Sequence, residues 1–220
     1  GLFCLLYFTN NLNLPVVFKN IIFCISAIFL FSFSFGLPYS VLRFTGPYAA
    51  MLFLHNKVLK ISRSNRTISP WRLPMASFLL PFTIFSFYSE TGIVYFIVQS
   101  FYLLYWTIHH PRVYIYSLGS SFLSLPAVIL IYGASYFDSL INLGSQGESG
   151  FPIVASPVTI IFLASLFFTI PILLCSGLSK DSGESRPLLL ALGLLATMLL
   201  PLSLGRNSIV HTLYGAWGLL

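Results

Sequence analysis

Apolar residues run along this chain in long unbroken blocks, with the polar residues gathered between them. The first block, Val16 to Leu37, lies between Pro15 and Pro38 and has Lys19 at its entrance. It is long enough for one membrane-spanning helix, which needs roughly 20 apolar residues. Tyr39 to Arg72 follows as the one long polar stretch, with Arg43, Lys57, Lys60, Arg63, Arg66 and Arg72 and no acidic residue. Its apolar part, Tyr48 to Leu59, is too short to span, so the segment is expected to lie on lipid headgroups. A tight hairpin of two spans comes next, Leu73 to Tyr88 and Gly92 to Ile108, turning at Ser89-Glu90-Thr91. Ser117 to Phe137 crosses again with Pro126 as a kink, and the loop Asp138 to Pro152 carries no Lys or Arg. Val154 to Leu178 returns, Ser179 to Arg186 forms a loop of mixed charge, and Pro187 opens a span that runs to Leu204. Gly205-Arg206-Asn207 turns, and Ser208 to Leu220 makes a last, short apolar run.

The fold class expected from this pattern is all-α: a polytopic transmembrane helix bundle of roughly six or seven spans. It divides into an N-terminal extension with one span (1–38), a basic interfacial segment (39–72) and a helix bundle (73–220). Composition agrees. Of 220 residues, 57% are hydrophobic and 7% charged, where a soluble domain carries about a quarter charged residues. The charges also set a sidedness. With the N-terminus on the outer side, nine Lys and Arg (Arg43, Lys57, Lys60, Arg63, Arg66, Arg72, Arg112, Lys180, Arg186) fall inside and two (Lys19, Arg206) outside. Cytoplasmic or matrix segments carry this kind of excess. The net charge of +6 therefore reads as topology and not as nucleic-acid binding.

Candidate chemistry is sparse. Gly1 to Phe8 has neither a basic leader region nor a cleavage site, so no secretory signal is read, and there is no Arg-rich transit peptide. Cys4, Cys24 and Cys175 stand far apart in apolar runs and are expected to be small packed hydrophobes. No HExxH, CxxC, P-loop, GxGxxG or GxSxG motif occurs. His109 and His110 have no matching pair of in-span histidines with which to hold a haem, because His55 lies outside the spans and His211 stands alone. Ionisable groups inside a bilayer are the default markers of function, and Glu90, Arg206 and His211 are the candidates for a proton path. Trp71, Trp106 and Trp217 fall near span ends, where interfacial aromatic belts form. Trp71 and Arg72 at the start of one span, with Trp106, His109 and Arg112 opposite, make a candidate site for an anionic lipid head group such as that of cardiolipin. The spans show few polar residues with which to coordinate a substrate, which disfavours a stand-alone transporter.

At Ser69-Pro70-Trp71 the run SPWRLPMASFLLPF resembles the Ser-Pro-Trp-Pro opening of the first bundle helix in mitochondrial cytochrome c oxidase subunit III, which also starts on the matrix side. Tyr105-Trp106-Thr107-Ile108-His109-His110-Pro111-Arg112 resembles the end of that family's second helix. SPVTIIFLASLFFTIPILLCSGL is similar to its helix opening Pro-Leu-Leu-Asn-Thr, and SRPLLLALGLLATMLLPLSLG, with Gly193 and Thr197, to the next. The resemblance covers Ser69 to Leu220. The chain departs from the family in having no Glu in Ser117 to Phe137 and in having an extra span, Val16 to Leu37, before the match. The resemblance implies a non-catalytic core subunit of a respiratory-chain terminal oxidase in the mitochondrial inner membrane, organelle-encoded and multi-pass. It would pack against the catalytic subunit, bind phospholipid and support proton uptake. It would hold no cofactor itself, haem a and copper belonging to the partner subunits. The other reading left open by the residues is a proton-pathway chain, of the type of ATP synthase subunit a or of an NADH dehydrogenase membrane-arm subunit.

Overall fold

A computed structural model describes residues 6–7, 9–11, 15–32, 38–63, 71–133, 135, 138, 167, 170–172, 174–176, 178 and 180–204. The described residues are almost all helical, with no strand among them. Among the described residues the helices with defined bounds are α1 (Val16–Ser32), α2 (Pro38–Arg63), α3 (Arg72–Phe87), α4 (Ser89–His109), α5 (Pro111–Tyr132) and α6 (Arg186–Leu204), the last preceded by a 3-10 turn, Lys180–Ser185. Two of them, α4 and α5, are long and apolar enough to cross a membrane, while α3 and the Val16–Ile25 part of α1 are apolar but shorter. The chain divides into two compact units, one formed by residues 1–53 and 154–220, the other by Leu54–Ile153, with the boundary inside α2.

In the first unit, α1 exposes Val16, Val17, Phe18, Ile21 and Ile25. Lys19 at its start donates from Nζ to the Asn10 carbonyl at 2.9 Å. On α6, Ala191, Leu195, Ala196 and Leu199 form a buried helical stripe. Cys24 and Cys175 are free and exposed, where packing within the chain was expected.

The stretch expected to lie on headgroups is, for most of its length, one 26-residue helix, α2. Tyr48, Met51, Leu52, His55 and Val58, spaced three or four apart, are all buried. Thr45, Ala49, Ala50 and Leu54 are buried as well, so protein covers the middle of this helix on every side and not along one apolar stripe. Lys60 and Arg63 occupy the last turn, where the helix dipole favours cations.

The second unit is built on two corners of one residue each. At the first, Tyr88 takes an extended conformation (φ −148°, ψ 94°), and α4 begins at Ser89. The expected turn Ser89-Glu90-Thr91 is thus the first turn of α4, where the Glu90 carboxylate complements the helix dipole. At the second, His110 (φ −140°, ψ 67°) precedes Pro111. Proline drives the residue before it out of the helical region and then starts α5 at a position where its missing N–H costs nothing. Residues 111–116, expected to lie outside the span, are therefore helical. α5 ends at Gly133, whose positive φ of 78° suits glycine.

These corners fold α3, α4 and α5 into an antiparallel bundle in which each helix contacts the other two. Tyr114, Ser117, Ser121, Ser124 and Val128 are the buried residues of α5. They alternate steps of three and four, the seam of a heptad repeat, and small serines in such a seam let helices approach closely. Gly92 makes the closest approach: a Cβ placed there would lie 2.4 Å from the Phe85 Cα.

Candidate functional site

Polar groups line the inside of the second unit. Gln99, at the middle of α4, is fully buried. Its Nε2 donates to the Ser77 carbonyl on α3 at 2.7 Å and to the Ser121 hydroxyl on α5 at 2.8 Å, so one side chain ties three helices. The Ser77 carbonyl has a reason to need a donor. An α-helix would supply one from the N–H four residues on, but residue 81 is proline and has none. Gln99 makes good the bond that Pro81 removes, as neighbouring helices do for prolines in apolar surroundings. Ser77 and Gln99 stand eleven positions either side of Tyr88, the symmetric register of an antiparallel hairpin. Around this centre the Ser77 Oγ, Tyr95 Oη, Gln99 Oε1 and Ser117 Oγ atoms are buried without a hydrogen-bond partner.

Towards the α4–α5 corner the interior is aromatic. His55, on the part of α2 that belongs to this unit, and Tyr102 are each 3% exposed, and His55 Nδ1 lies 2.8 Å from the Tyr102 hydroxyl. The Trp106 ring sits 5.6 Å from Tyr114, 6.1 Å from Tyr105 and 6.3 Å from His110, centroid to centroid. The Tyr114 hydroxyl donates to the Val58 carbonyl over a long 3.5 Å.

These contacts also order the charges. His55 is level with Tyr102, and Val58 with Tyr114, so α2 runs towards the α4–α5 corner and ends there with Lys60 and Arg63. The hairpin register returns the start of α3, with Arg72, to the same end. Arg112 lies just past the corner. The described cations of the second unit thus gather at one end of the bundle.

The five residues proposed for an anionic head group share that end but not the same exposure. Trp71, at 75% exposed, and Arg72, His109 and Arg112 are all on the surface. His109 donates from Nδ1 to the Tyr105 carbonyl at 2.7 Å. Trp106 is 6% exposed. Its position at a span end suggested an anchor, but it faces Tyr114 and α4's own neighbours and lies beneath the surface. In variants retaining a single tryptophan, aqueous acrylamide is expected to quench Trp71 strongly and Trp106 weakly, as steady-state fluorescence will measure. Equal quenching would place Trp106 at the surface after all. Of the proton-path candidates, Glu90 is exposed in the first turn of α4. Arg206 and His211 lie outside the described residues, as do most of the loop Asp138 to Pro152, most of the span Val154 to Leu178 and the run Ser208 to Leu220.

Gln99, Ser77, Ser121, His55 and Tyr102 were not singled out from the sequence, yet two signals for them are present. Gln99 is the sole side-chain amide between Leu73 and Tyr132, and Ser117, Ser121 and Ser124 recur on one helical face. The spans are therefore richer in interior polar groups than their composition suggested. Comparison with protein-family models, curated proteins and solved structures finds no match to this chain.

Proposed function

We propose that this chain is a non-catalytic membrane subunit of a respiratory-chain terminal oxidase, of the cytochrome c oxidase subunit III type, in the mitochondrial inner membrane. The observation that carries the membrane part is a strongly apolar surface on the second unit around an interior that includes polar side chains. Its interior holds Gln99, Ser77, Ser117, Ser121 and Ser124, whereas its surface presents Phe101 (60% exposed), Ile108 (71%), Leu123 (62%) and Leu130 (84%). In water such an arrangement wastes apolar burial, and a large exposed apolar surface marks a membrane or partner contact. In lipid it is the favourable one, because the surroundings are as apolar as leucine and helix association rests on close packing and interhelical hydrogen bonds.

The gathering of described cations at one end of the second unit supports an inner, matrix-facing end for that bundle. The likeness to subunit III rests on the helix bounds. α3 starts directly after Trp71 of the Ser-Pro-Trp run, and α4 closes on Trp106 and His109 before Arg112, in the order that the resemblance implies. In this reading Trp71, Arg72, His109 and Arg112 hold an anionic phospholipid head group, and Trp106 supports them from within. The polar side chains described inside the second unit are hydroxyls, an amide, an indole and one imidazole; its described carboxylates, Glu90 and Asp138, are exposed. That suits packing against a catalytic partner better than carrying protons.

Co-purification in mild detergent tests the proposal. The complex is expected to bring down haem a absorbance together with a copper-containing partner. Recovery of a proton-driven rotor ring or an iron–sulfur arm would transfer the chain to the proton-pathway reading.

A further inference from the structure

We propose that Tyr102 and His55 form a proton-coupled one-electron redox pair, fed from the surface through Trp106 and Tyr105. The pair depends on this chain alone and stands whether or not the oxidase reading does. Oxidation of a phenol makes its proton strongly acidic, so in a buried site the electron leaves readily only where a base can take the proton. In this unit Tyr95 has no partner for its hydroxyl, and Tyr114 meets only a distant backbone carbonyl. Tyr102 instead meets an imidazole nitrogen at 2.8 Å with both residues buried. Of the two groups, phenol is the better donor and imidazole nitrogen the better acceptor, so the hydroxyl donates to Nδ1 and the ring carries its hydrogen on Nε2. The T-shaped arrangement, with interplanar angle 71°, keeps the ring edge towards the hydroxyl.

The path from outside is a sequence of oxidisable rings. Tyr105 is half-buried and lies 6.1 Å from Trp106, which stands one helical turn from Tyr102 on α4. The required oxidant is an outer-sphere, one-electron, high-potential metal complex or oxidised metal centre at the basic end. It takes one electron from the Tyr105–Trp106 ring pair and is reduced by one unit, leaving the Trp106 radical cation. Trp106 then regains an electron from Tyr102. As it does so, the Tyr102 O–H bond breaks and an Nδ1–H bond forms on His55. The products are neutral Trp106, the Tyr102 phenoxyl radical and the His55 imidazolium, with one electron passed out and one proton moved along the existing hydrogen bond. Electron return to Tyr102 sends the proton back.

The test uses the full chain in detergent with photogenerated tris(bipyridine)ruthenium(III), followed by transient absorption and by electron paramagnetic resonance of frozen samples. The unaltered protein is expected to give a tyrosyl radical coupled to an exchangeable proton, formed more slowly in deuterium oxide. Tyr102→Phe removes that signal, and His55→Gln slows its formation by about a hundredfold, the scale of a lost general base. Trp106→Phe slows arrival of the oxidising equivalent while leaving the final radical the same. An unchanged radical in Tyr102→Phe, or an unchanged rate in His55→Gln, overturns the proposal. Should either variant fail to fold, the exchangeable-proton coupling in the unaltered chain decides, and its absence refutes the pair.

Discussion

Replacing Gln99 by leucine is expected to destabilise the second unit by about 2 kcal/mol, the cost of leaving a buried carbonyl and a buried hydroxyl without their donor. Leucine fills a similar volume, so the loss measures hydrogen bonding and not packing. In a Pro81→Ala background residue 81 regains an N–H, which satisfies the Ser77 carbonyl from within α3. The same Gln99→Leu change is then expected to cost under about 1 kcal/mol, close to a single interhelical hydrogen bond in an apolar environment. Reversible unfolding in one detergent, followed by circular dichroism, gives both values, and the difference between the two backgrounds is the coupling energy of a double-mutant cycle. Equal costs in the two backgrounds would mean that Gln99 does not serve the carbonyl freed by Pro81. Glutamine is suited to the role because a single amide NH₂ carries two donors, and here they reach α3 and α5 at once.

The second large effect is expected at Gly92. A methyl group there would stand 2.4 Å from the Phe85 Cα and 2.8 Å from its backbone nitrogen. A flexible side-chain tip could move aside, but these are main-chain atoms of α3 just before a one-residue corner. Gly92→Ala is expected to cost about 3 kcal/mol, the upper range for overpacking, and to separate the α3–α4 hairpin at its closed end. Gly119, on α5, is the internal control: nothing lies within 4 Å of a Cβ built there. Gly119→Ala is expected to be neutral or to stabilise by up to about 1 kcal/mol through helix propensity. Melting temperatures of the two variants side by side check this, and a Gly92→Ala protein as stable as Gly119→Ala would show that the helices are not pressed together there.

The two effects share an origin. Where side chains outside the bundle are as apolar as those inside, burial does little to set helix position, and the geometry falls to close approaches and to hydrogen bonds. Gly92 sets the distance at the closed end of the hairpin. Gln99 sets the register half-way along it, and His55–Tyr102 with Tyr114–Val58 fastens the open end to α2. Single exchanges among Leu, Ile and Phe at exposed positions such as Leu123 and Leu130 are expected to change stability little.

Much of this was legible in the sequence. The apolar block lengths gave the existence of α1 and α3 to α6 as helices, Pro187 marked one helix start, and the clustering of Lys and Arg anticipated a basic end. Boundaries were less so. A run of Ser, Glu and Thr reads as a turn, yet Ser89, Glu90 and Thr91 are helical, because a corner of one residue at Tyr88 suffices when Gly92 allows the helices to close. The basic stretch after Pro38 reads as a surface segment because its cations dominate its composition. Its middle, Tyr48 to His55, is nonetheless covered by protein, while Lys60 and Arg63 at its end stay exposed.

What the sequence by itself determined is the inventory: helical character, apolar lengths, the scarcity of acidic groups in the apolar blocks and the clustering of cations. These are local properties, set by each residue's own chemistry and its neighbours within a few positions. The tertiary structure alone decided which polar residues meet. Trp106 is a buried ring and not a surface anchor, Ser77 needs Gln99 because of Pro81, and His55, 47 positions from Tyr102, shares its hydroxyl. Such pairings depend on the register between helices, which is set by a glycine contact and a few hydrogen bonds across the chain and leaves no periodic trace in the order of residues.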